Sequence, residues 1–296
     1  MEQSLLDSSK YRIYSMSIDS RFTDNVYGGT EDFMIRLPST YRNIMRIALS
    51  SVELPSVEFL FSERHGNTTL RVDASGTTGF QTAEIFPGNY EPCDLVPVLK
   101  DALNTASPGA NFNVVILRTS ASLCITSPFP FTINPVSENS LIAARPNYWG
   151  LGYYLGYRRK GPLVAELDSE TGLYKLCATA PILLQPTPYY LLQLQAPDML
   201  ENVTHRTGAG ASIPAFAKLI LRDGFYTLQF VDGGDWLRRE FTFLAPTSMS
   251  QLRIKLLDPY GEPVDMRGMD WSMTFELYEV VNSRTYNTIS MTYERP

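Results

Sequence analysis

A chain of 296 residues, 44% hydrophobic and 12% aromatic, holds enough apolar side chains for one large core or two modest ones, which excludes a disordered protein. Its net charge is −6, and its densest basic run is only Arg158-Arg159-Lys160, which excludes a surface built to displace counterions from a nucleic-acid backbone. No stretch approaches the roughly 18 apolar residues of a spanning helix, and the opening MEQSLLDSSK lacks the basic and apolar regions of a signal peptide.

The first strand signal is the alternation Tyr14, Met16, Ile18 with Ser15, Ser17 and Asp19 between them. A turn-rich stretch through Asn25, Gly28 and Gly29 follows. Phe33, Ile35 and Leu37 predict a second strand ended by Pro38, and Met45, Ile47 and Leu49 a third ended by Pro55. Leu70 and Val72 predict a fourth, closed by the Ser75-Gly76 turn. Residues 94–104 carry Leu95, Val98, Leu99, Ala102 and Leu103 at helical spacing, with Asp94 as the expected N-cap and Pro97 in the opening turn.

Short strands are predicted around 114–117, 123–125 and 131–133, then a helix-to-loop element at LGYYLGY (151–157) and a strand at 173–177. Tyr190-Leu192-Leu194 and Phe216-Leu219-Leu221 predict long central strands, separated by the small-residue loop Gly208-Ala209-Gly210-Ala211-Ser212. Strands at 225–230 and 241–243 flank a Gly233-Gly234 turn. The last two runs, Leu252-Ile254-Leu256 and Met273-Phe275-Leu277, predict an antiparallel pair closed by a long loop with Pro259, Gly261, Pro263 and Gly268. Many short strands with one or two short helices predict an all-β protein, a single jelly-roll β-sandwich with long loops. It occupies residues 11–282, with an insertion around 163–213 and arms at 1–10 and 283–296.

Catalytic chemistry is not legible. His65 and His205 each sit in a polar stretch, and no nucleophile elbow, zinc-protease motif or phosphate-binding glycine loop occurs. Asp258, Glu262, Asp265 and Asp270 cluster around one loop, off the spacing of an EF-hand, and read as solvated acids. Trp149, Trp236 and Trp271 read as packing or interface residues rather than sugar platforms. Cys93, Cys124 and Cys177 are odd in number and widely spaced, which predicts no disulfide framework and no zinc site, in a protein made in a reducing compartment. The sequons at Asn67 and Asn202 are read as chance. Site residues, cofactors and metals are therefore expected to be none.

Several blocks, in order, resemble the minor capsid and penton proteins of nucleocytoplasmic large DNA viruses. They are Ile18-Asp19-Ser20-Arg21, then Asp32-Phe33-Met34-Ile35-Arg36-Leu37-Pro38, then Tyr41-Arg42-Asn43-Ile44 leading into Ile47-Ala48-Leu49-Ser50-Ser51-Val52-Glu53-Leu54-Pro55. Ile85-Phe86-Pro87-Gly88-Asn89-Tyr90 follows, then Leu151-Gly152-Tyr153 through Gly156-Tyr157, and finally 243–280 with Asp258, Gly261, Gly268 and Asp270. The region 163–213 matches least. The resemblance implies a non-enzymatic jelly-roll protein of the virion, a homo-pentamer at the fivefold vertex of an icosahedral capsid. The partners it implies are itself, a double jelly-roll major capsid protein and other minor capsid proteins, with no nucleic acid and no membrane insertion. A minor capsid protein bridging major capsid trimers is the alternative within the class. A carbohydrate- or protein-binding sandwich is the alternative outside it, and a glycan-cleaving enzyme the most distant.

Overall fold

The computed structural model describes residues 11–23, 25–74, 79–136, 150–159, 161–196, 203–206, 212–232 and 239–281. The arms at 1–10 and 283–296, the Gly208–Ala211 loop, the Gly233-Gly234 turn, Trp149 and Trp236 fall outside those residues. Contacts divide the chain into two compact units, one of Met1–Glu58 with Thr187–Pro296 and one of Phe59–Pro186. Residues 163–213, expected as an insertion around that stretch, span the boundary between the two units at Pro186.

The first unit opens with β1 (Tyr11–Asp19), β2 (Asn25–Gly29) and β3 (Asp32–Pro55). The second carries β4 (Thr69–Ala74), β5 (Gln81–Glu84), α1 (Pro92–Ala106), β6 (Asn113–Leu117), β7 (Ser122–Ser127) and β8 (Phe131–Asn134). It continues with α2 (Leu151–Tyr154), β9 (Leu163–Val164), β10 (Glu166–Leu167) and β11 (Tyr174–Cys177). The first unit resumes with β12 (Tyr189–Gln195), β13 (Val203–Arg206), β14 (Ser212–Ala215) and β15 (Ala217–Ile220). It closes with β16 (Leu228–Asp232), β17 (Arg239–Leu257) and β18 (Ser272–Val280). The protein is all-β in class, and the strand pairings among the described residues are antiparallel.

In the first unit the sheet order is β1-β18-β3-β17-β12-β15, with β16 and β2 also on β3. Apart from the β2–β3 hairpin, sheet neighbours are far apart in the chain, the long-crossing connectivity of a jelly roll. One sequence expectation is overturned here: β17 and β18 do not pair, because β3 lies between them, Ile35 opposite Leu252 and Ile47 opposite Leu277. Local alternation marks each strand but carries no information about which strand fills the gap.

The strand end expected at Pro55 is where β3 stops, but the end expected at Pro38 is not: 24 residues from Asp32 to Pro55 form one strand. The reason is register. The ladder with β17 runs through Arg36 opposite Gln251 and resumes at Tyr41 opposite Met249, with irregularities on both sides. Pro38 sits in that break, where there is no ladder bond for its missing N–H to lose. Asn43 takes a positive φ of 54° at the same bend. Below it, Phe33, Ile44, Ile47, Leu252, Ile254, Met273, Phe275 and Leu277 are buried in one core, with Trp271 stacked obliquely on Phe33 at 5.4 Å and Phe216 edge-on to Phe275.

The second unit holds two four-stranded sheets, β10-β11-β7-β6 and β5-β4-β8-β9. Helix α1 buries Leu95, Leu99 and Leu103, one residue per turn on a single stripe. The helix begins two residues before Asp94, so Asp94 is not the N-cap. Pro92 occupies the first turn, where its fixed φ suits helix entry, and Glu91 is the cap residue without a side-chain bond. Pro97 consequently lies past the opening turn, where it removes one helical donor.

The cysteine expectation is also corrected. Cys124 and Cys177 form a disulfide, 53 residues apart in sequence, leaving Cys93 free and exposed. Spacing hides the pair because the β7–β11 register, not sequence proximity, sets Cys124 opposite Cys177. Next to it the Tyr157 hydroxyl donates to the Leu176 carbonyl at 3.0 Å. Burial pushes that phenol far above the ordinary tyrosine range. Tyr190 in the first unit is raised too, by burial and then by the nearby Glu58 carboxylate. Because both folded values lie above the unfolded value of about 10, the unfolded chain loses these protons first. Stability is therefore flat below about pH 10 and falls as pH rises beyond it. In an alkaline titration two phenols should ionise only together with loss of near-ultraviolet dichroism; complete ionisation with the fold intact would contradict this burial.

Candidate functional site

The acidic loop residues do not converge. Asp258 is buried at 3% exposure, and its carboxylate accepts from the Tyr260 and Glu262 amides at 2.8 and 2.9 Å. Asp265 accepts from the Arg267 amide at 2.8 Å, and Asp270 from the Ser20 hydroxyl at 3.0 Å. These carboxylates shape the turns of the β17–β18 connection. Among the described residues no group of three His, Cys, Asp or Glu is arranged to hold a metal.

Sequence reasoning overlooked Glu58, which is 8% exposed. It accepts from the Tyr190 hydroxyl at 3.3 Å and lies 3.4 Å from the Asp265 amide. A lone glutamate after a strand carries no periodic signal, so only the fold exposes its burial. The raised phenol stays protonated, so Tyr190 is a hydrogen-bond donor to Glu58 and no base. The pair ties β12 to the chain after β3 and to the β17–β18 connection.

The remaining sequence candidates disperse. His65 is half-buried, its amide donating to the Ser62 hydroxyl, while His205 lies on the β13–β14 hairpin. Trp271 is 3% exposed and donates from Nε1 to the Thr30 carbonyl at 2.9 Å, a packing role as expected. Arg158 lies over the Tyr153 ring at 4.5 Å rather than in a basic patch. Asn67 is fully buried, its side chain donating to Leu60 and accepting from the Ser62 amide, so its sequon is closed to glycan attachment.

What the first unit does present is an apolar edge. On β16 and the residue pair before it the ordinary pattern is reversed: Tyr226, Leu228 and Phe230 are 62%, 47% and 71% exposed, while Gln229 between them is 3% exposed. Gln229 can face inward because all its polar capacity is used. Its oxygen accepts from the Arg222 and Asp223 amides, and its nitrogen donates to the Asp223 carbonyl and the Thr227 hydroxyl. Among the described residues β16 pairs with β3 alone, Leu228 opposite Pro55 through Asp232 opposite Ser51. Beside it opens a groove of about 550 Å³ lined by Pro55, Val57, Tyr226, Leu228, Arg267 and Met269. No sequence signal pointed here, because Phe225 to Phe230 reads as an ordinary strand until one knows which face is inward.

Replacing Gln229 by leucine leaves four backbone and hydroxyl partners without their bonds and should cost about 2 kcal/mol, despite making the buried position apolar. Urea unfolding of Gln229→Leu checks this; a gain in stability would mean that the loop bonds contribute nothing.

No protein-family model matches the chain, and no curated protein does. Among solved structures, the crystal structure of the selenomethionine-labelled mavirus penton protein matches over 92% of this chain and 100% of that one. The two share 11% sequence identity and superpose with a TM-score of 0.48.

Proposed function

We propose that this chain is a structural protein of an icosahedral virus capsid, acting at the fivefold vertex as a homo-pentamer beside a double jelly-roll major capsid protein and other minor capsid proteins. Two lines support the reading. The ordered sequence blocks that resemble capsid proteins fall on elements of an antiparallel, long-crossing fold. The observation that carries the proposal is the β16 edge, which among the described residues pairs with β3 alone and turns Tyr226, Leu228 and Phe230 outward. A contiguous apolar surface on a strand that, among the described residues, pairs on one side alone invites association, and a ring of copies is a closed way to cover it.

The carboxylates occupied with turn amides fit a scaffold more readily than a catalytic cleft. The location that follows is the virion, with synthesis and assembly inside the host cell. The test is the mass of the purified full-length chain by sedimentation over a wide concentration range. Five-copy particles are the expected result. A stable monomer at every concentration that binds a glycan array would replace this reading with a carbohydrate-binding module, and a monomer that binds major capsid trimers with a bridging minor capsid protein.

A further inference from the structure

Residues 166–177 form a flap on the second unit. They hold β10, β11 and the turn between them, in which the Asp168 carboxylate accepts from the Glu170 amide at 3.0 Å. None of these residues is buried. The residues that bound the flap are buried alanines, Ala165 at 5% and Ala178 at 7% exposure. Both are pinned by the backbone, the Ala165 amide donating to the Phe131 carbonyl at 2.9 Å and the Ala178 amide to the Leu123 carbonyl at 2.8 Å. Between those pins the ties to the rest of the unit are the β11–β7 ladder, the Tyr157 hydroxyl on the Leu176 carbonyl and the Cys124–Cys177 disulfide. A segment with no buried side chain has little hydrophobic burial to hold it, and such segments open locally at low cost in free energy. The covalent tie therefore decides whether this one opens. We infer that the Cys124–Cys177 bond is a redox latch, opened and closed by thiol–disulfide exchange at Cys177, which frees the flap while the rest of the second unit stays folded.

The two sulfurs differ in access. Cys124 is 0% exposed, whereas Cys177 is half-buried, so a reagent reaches the bond from the Cys177 side. In opening, one thiolate of a small dithiol attacks the Cys177 sulfur. The protein disulfide breaks, and its electron pair goes to the Cys124 sulfur, which takes up a proton. The second thiolate of the dithiol then displaces Cys177, which leaves as a thiol, and the reagent is left as a cyclic disulfide. Closing consumes a small disulfide such as glutathione disulfide, which is reduced to two thiols. No rearrangement is needed for it, because the ladder already sets Cys177 opposite Cys124 whenever β11 lies on β7. With the flap away, β7 loses its partner from Cys124 to Ser127, a stretch in which Ile125 is fully buried when the flap is closed. Redox state then sets whether this strand edge is covered or offered for pairing. The latch goes beyond the capsid reading and does not rest on it.

Limited trypsin digestion of the full-length Cys93→Ser chain under native conditions tests this, with dithiothreitol as the dithiol and glutathione disulfide as the oxidant. Lys175 lies in the flap and Arg118 in the β6–β7 turn of the same unit, both exposed, so cleavage after Arg118 is the internal control. Reduction should speed cleavage after Lys175 about tenfold or more and leave cleavage after Arg118 within about twofold, because proteolysis follows the population of the locally open form. Reoxidation should restore the slow rate. Single-cysteine chains assign the sulfur. Cys93→Ser with Cys124→Ser should take up one glutathione on Cys177, and Cys93→Ser with Cys177→Ser should react on Cys124 more slowly by about tenfold or more. Equal cleavage after Lys175 in both redox states, or a parallel rise after Arg118, overturns the inference. So does a failure of glutathione disulfide to join Cys124 to Cys177 in the reduced chain, or faster modification of Cys124 than of Cys177.

Discussion

Alanine at Gly156 should destabilise the second unit by about 3 kcal/mol or more. Gly156 has a φ of +93°, in the left-handed region where a Cβ meets the following carbonyl. A Cβ there would also overlap the backbone carbonyl oxygen of Ala180 and crowd the Ala178 side chain. The crowding is backbone against backbone, so no rotamer change relieves it. The approach is itself held by a bond, the Ala180 amide donating to the Gly156 carbonyl at 3.2 Å. Gly109→Ala and Gly161→Ala are the internal controls. Both positions have positive φ, +94° and +89°, but a Cβ there meets nothing within 4 Å. They should lose only the roughly 1–2 kcal/mol of the left-handed backbone. Calorimetric melting distinguishes the terms, and equal losses at all three positions would show that the Ala180 contact is not limiting.

Breaking the Cys124–Cys177 bond should cost about 4 kcal/mol, because it closes a loop of some 53 residues whose freedom the unfolded chain otherwise regains. Cys124 is fully buried in the second unit, so the loss should fall there. Two measurements bear on it. Alkylation of the denatured, unreduced chain should modify one thiol, that of Cys93, and three after reduction. Cys124→Ala with Cys177→Ala should then lower the melting temperature of the second unit by several degrees or more. Three reactive thiols before reduction, or an unchanged melting curve in the double variant, would show that strand pairing alone holds β7 to β11. Disulfides persist where the surroundings are oxidising, so three reactive thiols would also return the protein to the reducing compartment that its cysteine spacing suggested.

The alternating runs at 14–18, 33–37, 190–194, 252–256 and 273–277 were determined by the sequence alone, as was the α1 stripe of Leu95, Leu99 and Leu103. Period two and period 3.6 are local properties, set by which side chains a backbone turns to one side. The same runs settled the class, since many short alternating strands with one or two short helices make an all-β protein. Tertiary structure alone decided the rest. It placed β3 between β17 and β18, let Pro38 sit inside a strand, set Cys124 opposite Cys177, buried Glu58 against Tyr190 and turned Leu228 and Phe230 outward. Each of these depends on pairing between segments distant in the chain, and alternation is blind both to its partner and to the sign of its own face. A strand with apolar residues on one side and a glutamine on the other is the same string whichever side meets the core. Only the neighbours that satisfy Gln229 decide that here the apolar side is the one left exposed.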